Sequence, residues 1–143
     1  MMAWYSDRRG FGWLEALAFI IVAGCGDGGR YRVTGTVTFD GQPVPGGMIY
    51  FHPDKASGND GPSGFAEIVG GKFDTALGRG RGAGPGSHEV MISGHDPATS
   101  VGSDFERGAL SLFDNYRETV DLPAAASRYD FAVPPETAQQ RGY

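Results

Sequence analysis

The chain is poor in the residues that build most catalytic and metal centres. Its 143 residues include one cysteine, Cys25, and three histidines. A lone cysteine excludes an internal disulfide and a cysteine-rich zinc site. Charge is sparse, at 20% of residues, and the net balance is -5. An acidic chain lacks the basic surface that meets phosphates, so nucleic acid is not an expected partner. Room for long helices is also lacking, because 24 glycines and 9 prolines punctuate the chain. Glycine alone is about 17% of the residues, against a usual share of about 7%. Aromatic residues at 12% still favour a folded, turn-rich domain over disorder. The length fits one domain.

No hydrophobic run is long enough to span a bilayer. The longest, residues 13–23, is interrupted by Glu15 and reaches about 11 residues where a span needs about 20. It follows Arg8 and Arg9, and this order of a positive segment and a short apolar core is that of an export signal. Arg8-Arg9-Gly10-Phe11 is also similar to a twin-arginine export motif. The apolar run closes on Val22-Ala23-Gly24-Cys25, which resembles a bacterial lipobox. Small side chains before the cut let a peptidase close on the backbone, and the Cys25 thiol is the nucleophile that accepts the lipid. Residues 1–24 are therefore expected to be a lipoprotein signal peptide and 25–30 a lipidated tether. Residues 31–135 form the domain and 136–143 a flexible tail. Losing the leader leaves the net charge unchanged, since Arg8 and Arg9 cancel Asp7 and Glu15.

The domain reads as all-β. Residues 31–39 alternate, with Tyr31, Val33, Gly35, Val37 and Phe39 on one side and Arg32, Thr34, Thr36 and Thr38 on the other. Residues 47–52 are apolar on both faces, as in a central strand. Residues 65–69 and 72–75 flank Gly70-Gly71, a two-residue hairpin signal. Further strands are predicted over 87–93, 118–122 and 129–133. Loops are predicted over 53–64, 77–86 and 95–108. Residues 109–116 read as a helical turn or an irregular edge segment. About seven short strands predict a seven-stranded antiparallel Greek-key β-sandwich.

Residues 33–47, with Val33, Gly35 and Val37, Asp40-Gly41 and Pro43-Val44-Pro45, resemble the opening of carboxypeptidase-regulatory-like, transthyretin-type domains. Gly64-Phe65-Ala66-Glu67-Ile68 with Gly71-Lys72-Phe73 is similar to the hairpin that follows there. With the lipobox, and with Val120-Asp121-Leu122-Pro123 and Asp130-Phe131-Ala132-Val133-Pro134 downstream, the chain resembles planctomycete-type small lipoproteins. The resemblance implies a fold and an address at a bacterial membrane, facing periplasm or cell surface. It implies no catalytic residue and no cofactor.

Other chemistries find little footing. His88, His95 and Asp96 are the nearest approach to a metal site, but a strand face for His88 and a turn for His95-Asp96-Pro97 account for them better. Asp54, Asn59 and Asp60 could offer oxygens to calcium, without EF-hand spacing. Arg79 and Arg81 in a glycine-rich stretch suit a surface loop. Tyr50, Phe51, Tyr116, Tyr129 and Phe131 could form a carbohydrate-stacking face, but their alternation favours the core. The chain ends Arg141-Gly142-Tyr143, unlike the Tyr-Arg-Gly-Ser end of hydroxyisourate hydrolases. The expectation is a non-enzymatic, lipid-anchored envelope protein that binds another protein or a polymer. The alternative is an exported module for a carbohydrate or metal.

Overall fold

The computed structural model describes residues 28–97 and 110–140. Among these there is no α-helix, and no helix long and apolar enough to cross a membrane. The strands are β1 (Val33–Phe39), β2 (Gln42–Pro43), β3 (Gly46–Pro53), β4 (Gly64–Val69), β5 (Lys72–Asp74), β6 (Gly86–Asp96), β7 (Leu110–Leu122) and β8 (Ser127–Val133). They form one sheet in the order β2-β1-β5-β4-β3-β6-β7, with β8 on the other edge of β1.

The periodicity of the sequence explains the central elements. In β1, Val33, Gly35 and Val37 are buried while Thr34, Thr36 and Thr38 stay partly exposed. β3 pairs with both β4 and β6, so it is central, with Ile49 and Phe51 in the core and Met48 and Tyr50 on the outer face. Gly70 and Gly71 have φ of 57° and 77°, the left-handed pair that a tight hairpin between β4 and β5 requires.

Two sequence expectations need correction. First, the pairing is not wholly antiparallel, because β8 runs parallel to β1 from Val33↔Ser127 to Phe39↔Val133. The return across residues 123–126 carries the chain from β7 at one sheet edge to β1 at the other, so β8 enters from the same end as β1. Second, residues 110–116 are the first half of the 13-residue β7 rather than a helical turn. Its alternation is broken by a bulge: β7 uses the stretch from Tyr116 to Leu110 against Ile92 to Asp96 of β6. Asn115, at φ 58°, absorbs part of the excess. Pro135–Gln140 forms a 3-10 turn packed against β7, and Thr137 is buried.

The bulge has a packing consequence. It turns Phe113 inward, fully buried, to stack on Phe39 with ring centroids 5.1 Å apart. Gly94 makes room, since a Cβ there would lie 2.5 Å from the Phe113 ring. β1 and β7 are separated in the sheet by β5, β4, β3 and β6, roughly 24 Å if the sheet were flat. Their contact therefore requires a strong curl. The curl wraps a single core in which Phe73 touches both Phe51 and Phe131, at 6.0 Å each. At Gly35 the parallel pair comes so close that a Cβ would meet the Tyr129 carbonyl oxygen at 1.6 Å.

Phe113→Ala removes the ring that closes this curl. It is expected to cost about 3–5 kcal/mol in urea unfolding. Leu77→Ala, at an exposed site, should stay within about 0.5 kcal/mol.

Candidate functional site

Val22, Ala23, Gly24 and Cys25, expected from the sequence to form a lipobox, lie outside the described residues. The predicted polar candidates inside them are dispersed. His88 is fully buried in β6, its Nδ1 donating to the Gly86 carbonyl at 2.8 Å. The carbonyl can only accept, so the proton sits on Nδ1, and Nε2 has no hydrogen-bond partner among the described residues. His95 and Asp96 are not in a turn as expected. The bulge lets β6 continue through them, opposite Ser111 and Leu110. His52 is exposed at the end of β3 and stacks on Tyr50, centroids 5.9 Å apart and planes 7° off parallel. No group of three His, Cys, Asp or Glu suited to a metal occurs among the described residues.

The loop between β3 and β4 uses its polar groups on itself. Asp54 caps the short 3-10 turn Lys55–Ser57, accepting from Ala56 N at 3.0 Å and Ser57 Oγ at 2.6 Å. The Ser57 hydroxyl, ahead of the backbone amides, holds the Asp54 carboxyl below the usual carboxylate range. Asn59 donates to the Pro85 and Ser87 carbonyls at 3.3 and 2.8 Å and accepts from Gly61 N. Those residues tie one loop to the next, and Asp60 is left exposed.

The aromatic candidates divide. Phe51 and Phe131 are core, while Tyr50, Tyr116 and Tyr129 are half-buried. Tyr129 donates to the Asp121 carbonyl at 2.5 Å and Tyr116 to Glu118 at 3.1 Å. Burial, then the Glu118 carboxylate, raises the Tyr116 pKa. On the outer face Phe65, Tyr50, Met91 and Arg117 stand in register across β4, β3, β6 and β7.

One concavity was not foreseen. A cleft of about 450 Å³ opens on the outer face where β1, β5 and β4 meet. Thr34 and Thr36 are on its floor, with Glu67, Val69, Lys72 and Leu77 around it. Among the described residues, Val69 and Leu77, each 66% exposed, are the large hydrophobic residues left most open to solvent. Asp74 is clamped by Arg32, whose Nε donates to Oδ1 at 2.9 Å and whose second nitrogen reaches Oδ2. Asp130 accepts from Thr36 Oγ1 at 2.8 Å and Arg128 at 3.4 Å. Lys72 and Glu67 have no ion-pair partner among the described residues. Two apolar rims, floor hydroxyls and one free charge of each sign can hold an extended segment. The signal in the sequence was slight: an apolar residue beside the hairpin glycines, and another in a glycine-rich turn.

No protein-family model matches the chain, and neither does any curated protein.

The Arg32 guanidinium holds the Asp74 carboxyl below its ordinary range. A depressed folded-state pKa gives stability that is present above the unfolded value, about 3.9, and lost as pH falls through the folded one. The melting temperature should therefore drop on acidification below about pH 4. Asp74→Asn should melt lower than the parent at pH 6–7 and show a shallower acid drop. Equal melting curves at both pH values would exclude the pair as a source of stability.

Proposed function

We propose that the chain is a non-enzymatic exported lipoprotein. Cys25 would carry the anchor, and the curled sheet would be a transthyretin-like Greek-key sandwich presented at the cell envelope. The observation that carries this reading is an order along the chain. A positive segment and short apolar run end on Val22-Ala23-Gly24-Cys25, and the first described strand begins at Val33, a few residues on. A domain placed so close behind a lipidated cysteine is displayed at a membrane surface rather than set free.

The domain's role in this reading is to bind a protein or polymer in the envelope. The cleft lined by Val69 and Leu77 supports it, because exposed apolar side chains beside unpaired charges suit an extended polymer segment. A module for a small carbohydrate or metal is the second reading. The half-buried Tyr50 beside Phe65 and His52 favours its carbohydrate form. Calorimetric heat with a glycan panel, calcium or zinc, lost on Tyr50→Ala for a glycan, would move the assignment there.

Intact mass of the mature protein tests the anchor. Expressed from the full chain in a bacterial host, the protein should begin at Cys25 and carry acyl chains, and Cys25→Ser should abolish both cleavage and lipid. A free thiol at Cys25 on an uncleaved chain would sink the lipoprotein reading.

A further inference from the structure

Charge is distributed unevenly between the two ends of the curled sheet. Residues 28–32 and the connections 54–63, 75–85 and 123–126 meet at the end where β1 and β8 begin. They carry Arg30, Arg32, Lys55, Arg79 and Arg81 against only Asp54 and Asp60. Among the described residues at the other end, 40–41, 44–45, 70–71 and 134–140 carry Asp40 and Glu136 and no cation. A chain of net charge -5 thus has one positive pole.

The cations at this pole are largely uncompensated. Arg32 is neutralised by Asp74, but Arg30 is held by neutral acceptors, the Ser63 and Gly82 carbonyls at 2.5 and 2.9 Å. That places its guanidinium next to the segment bearing Arg81. Arg79 and Arg81 are exposed and make no ion pair among the described residues. The segments are also pinned together. Tyr31 and Ala83 exchange backbone hydrogen bonds at 2.8 and 3.1 Å, Phe65 and Arg81 at 3.0 and 2.9 Å, and Gly84 N donates to the Pro62 carbonyl at 3.2 Å. The positive surface is therefore a fixed feature of the fold.

We propose that this pole docks on anionic lipid headgroups. The inference rests on the lipoprotein reading of Cys25 for its geometry. Arg30 follows Cys25 by five residues, which reach at most about 18 Å when fully extended. An anchor at Cys25 therefore holds the positive pole, and not the acidic one, near the bilayer. At physiological salt the screening length is about 8 Å, so the attraction acts once the pole settles onto the surface. Each basic residue there strengthens binding by about fivefold. Docking would leave the acidic pole facing away from the membrane.

The test uses the full chain with Cys25→Ser, so that no acyl chain contributes. Flotation would be measured with phosphatidylcholine vesicles and with mixed phosphatidylcholine–phosphatidylglycerol vesicles, at low and high salt. Arg79→Gln with Arg81→Gln should lower partitioning onto the anionic vesicles about 25-fold at low salt and leave phosphatidylcholine binding unchanged. Lys72→Gln, the same kind of charge change toward the acidic pole, should have less than about twofold effect. Unchanged melting temperatures would show that the variants are folded. Equal partitioning of the arginine and lysine variants would overturn the proposal. So would binding to soluble polyphosphate with none to anionic vesicles. A loss of the arginine effect with Cys25 found lipidated by mass sinks docking alone. An arginine effect with Cys25 found unlipidated sinks the anchor alone.

Discussion

The stacking of Phe113 on Phe39 sets the shape on which every other feature depends. Hydrogen bonding along a sheet is indifferent to curl, and a flat sheet would satisfy the same ladders. Burial decides the matter. The inward residues of β1, β3, β6, β7 and β8 hide their apolar surface only if the sheet's ends turn toward each other over one core. The bulge in β7 supplies the local means by aiming Phe113 inward, and Gly94 supplies the space. The cleft lies on the opposite, outer side of the sheet, lined by residues of β1, β5 and β4.

The parallel pairing of β8 with β1 follows from the same constraint. A last strand added beyond β7 would have extended the exposed edge. Placed beside β1 it brings Phe131 and Val133 into the core next to Phe73. The cost is a close approach of two backbones at Gly35, where a side chain of any size would strike the Tyr129 carbonyl. The glycine in the Val-x-Gly-x-Val stretch thus answers to a neighbour almost a hundred residues away, not to a turn.

That distance explains what could be read in advance. β1, β3 and the β4–β5 hairpin were legible because alternation and a glycine pair are local signals. The first half of β7 was not, because the bulge puts Leu112 and Phe113 side by side and breaks the period of two. The parallel β1–β8 pair leaves no local trace, since strand order is settled by the whole core. His95 and Asp96 were misread as turn residues because Pro97 marks a stop, and nothing local shows that β7 begins early enough to pair with them. Val22-Ala23-Gly24-Cys25, with its likeness to a lipobox, was the clearest motif in the sequence. The cleft was illegible, because it depends on the angle between hairpins.

The positive pole shows how a property can be visible residue by residue and still escape notice. Arg30, Lys55, Arg79 and Arg81 are scattered over fifty-odd positions of an acidic chain. Only the topology gathers them, because antiparallel pairing returns alternate connections to one end, and the parallel β8 brings an uncharged connection there as well. The capping of Asp54 inside its own turn sharpens the asymmetry, since its oxygens are directed at Ala56 and Ser57 rather than at the arginines. A tether too short to let the domain turn over would make that asymmetry an orientation. On the lipoprotein reading, the end of the fold from which the chain leaves is also the end whose charge suits a membrane. The cleft on the outer face then stands beside the bilayer rather than beneath it, open to an envelope polymer running along the surface.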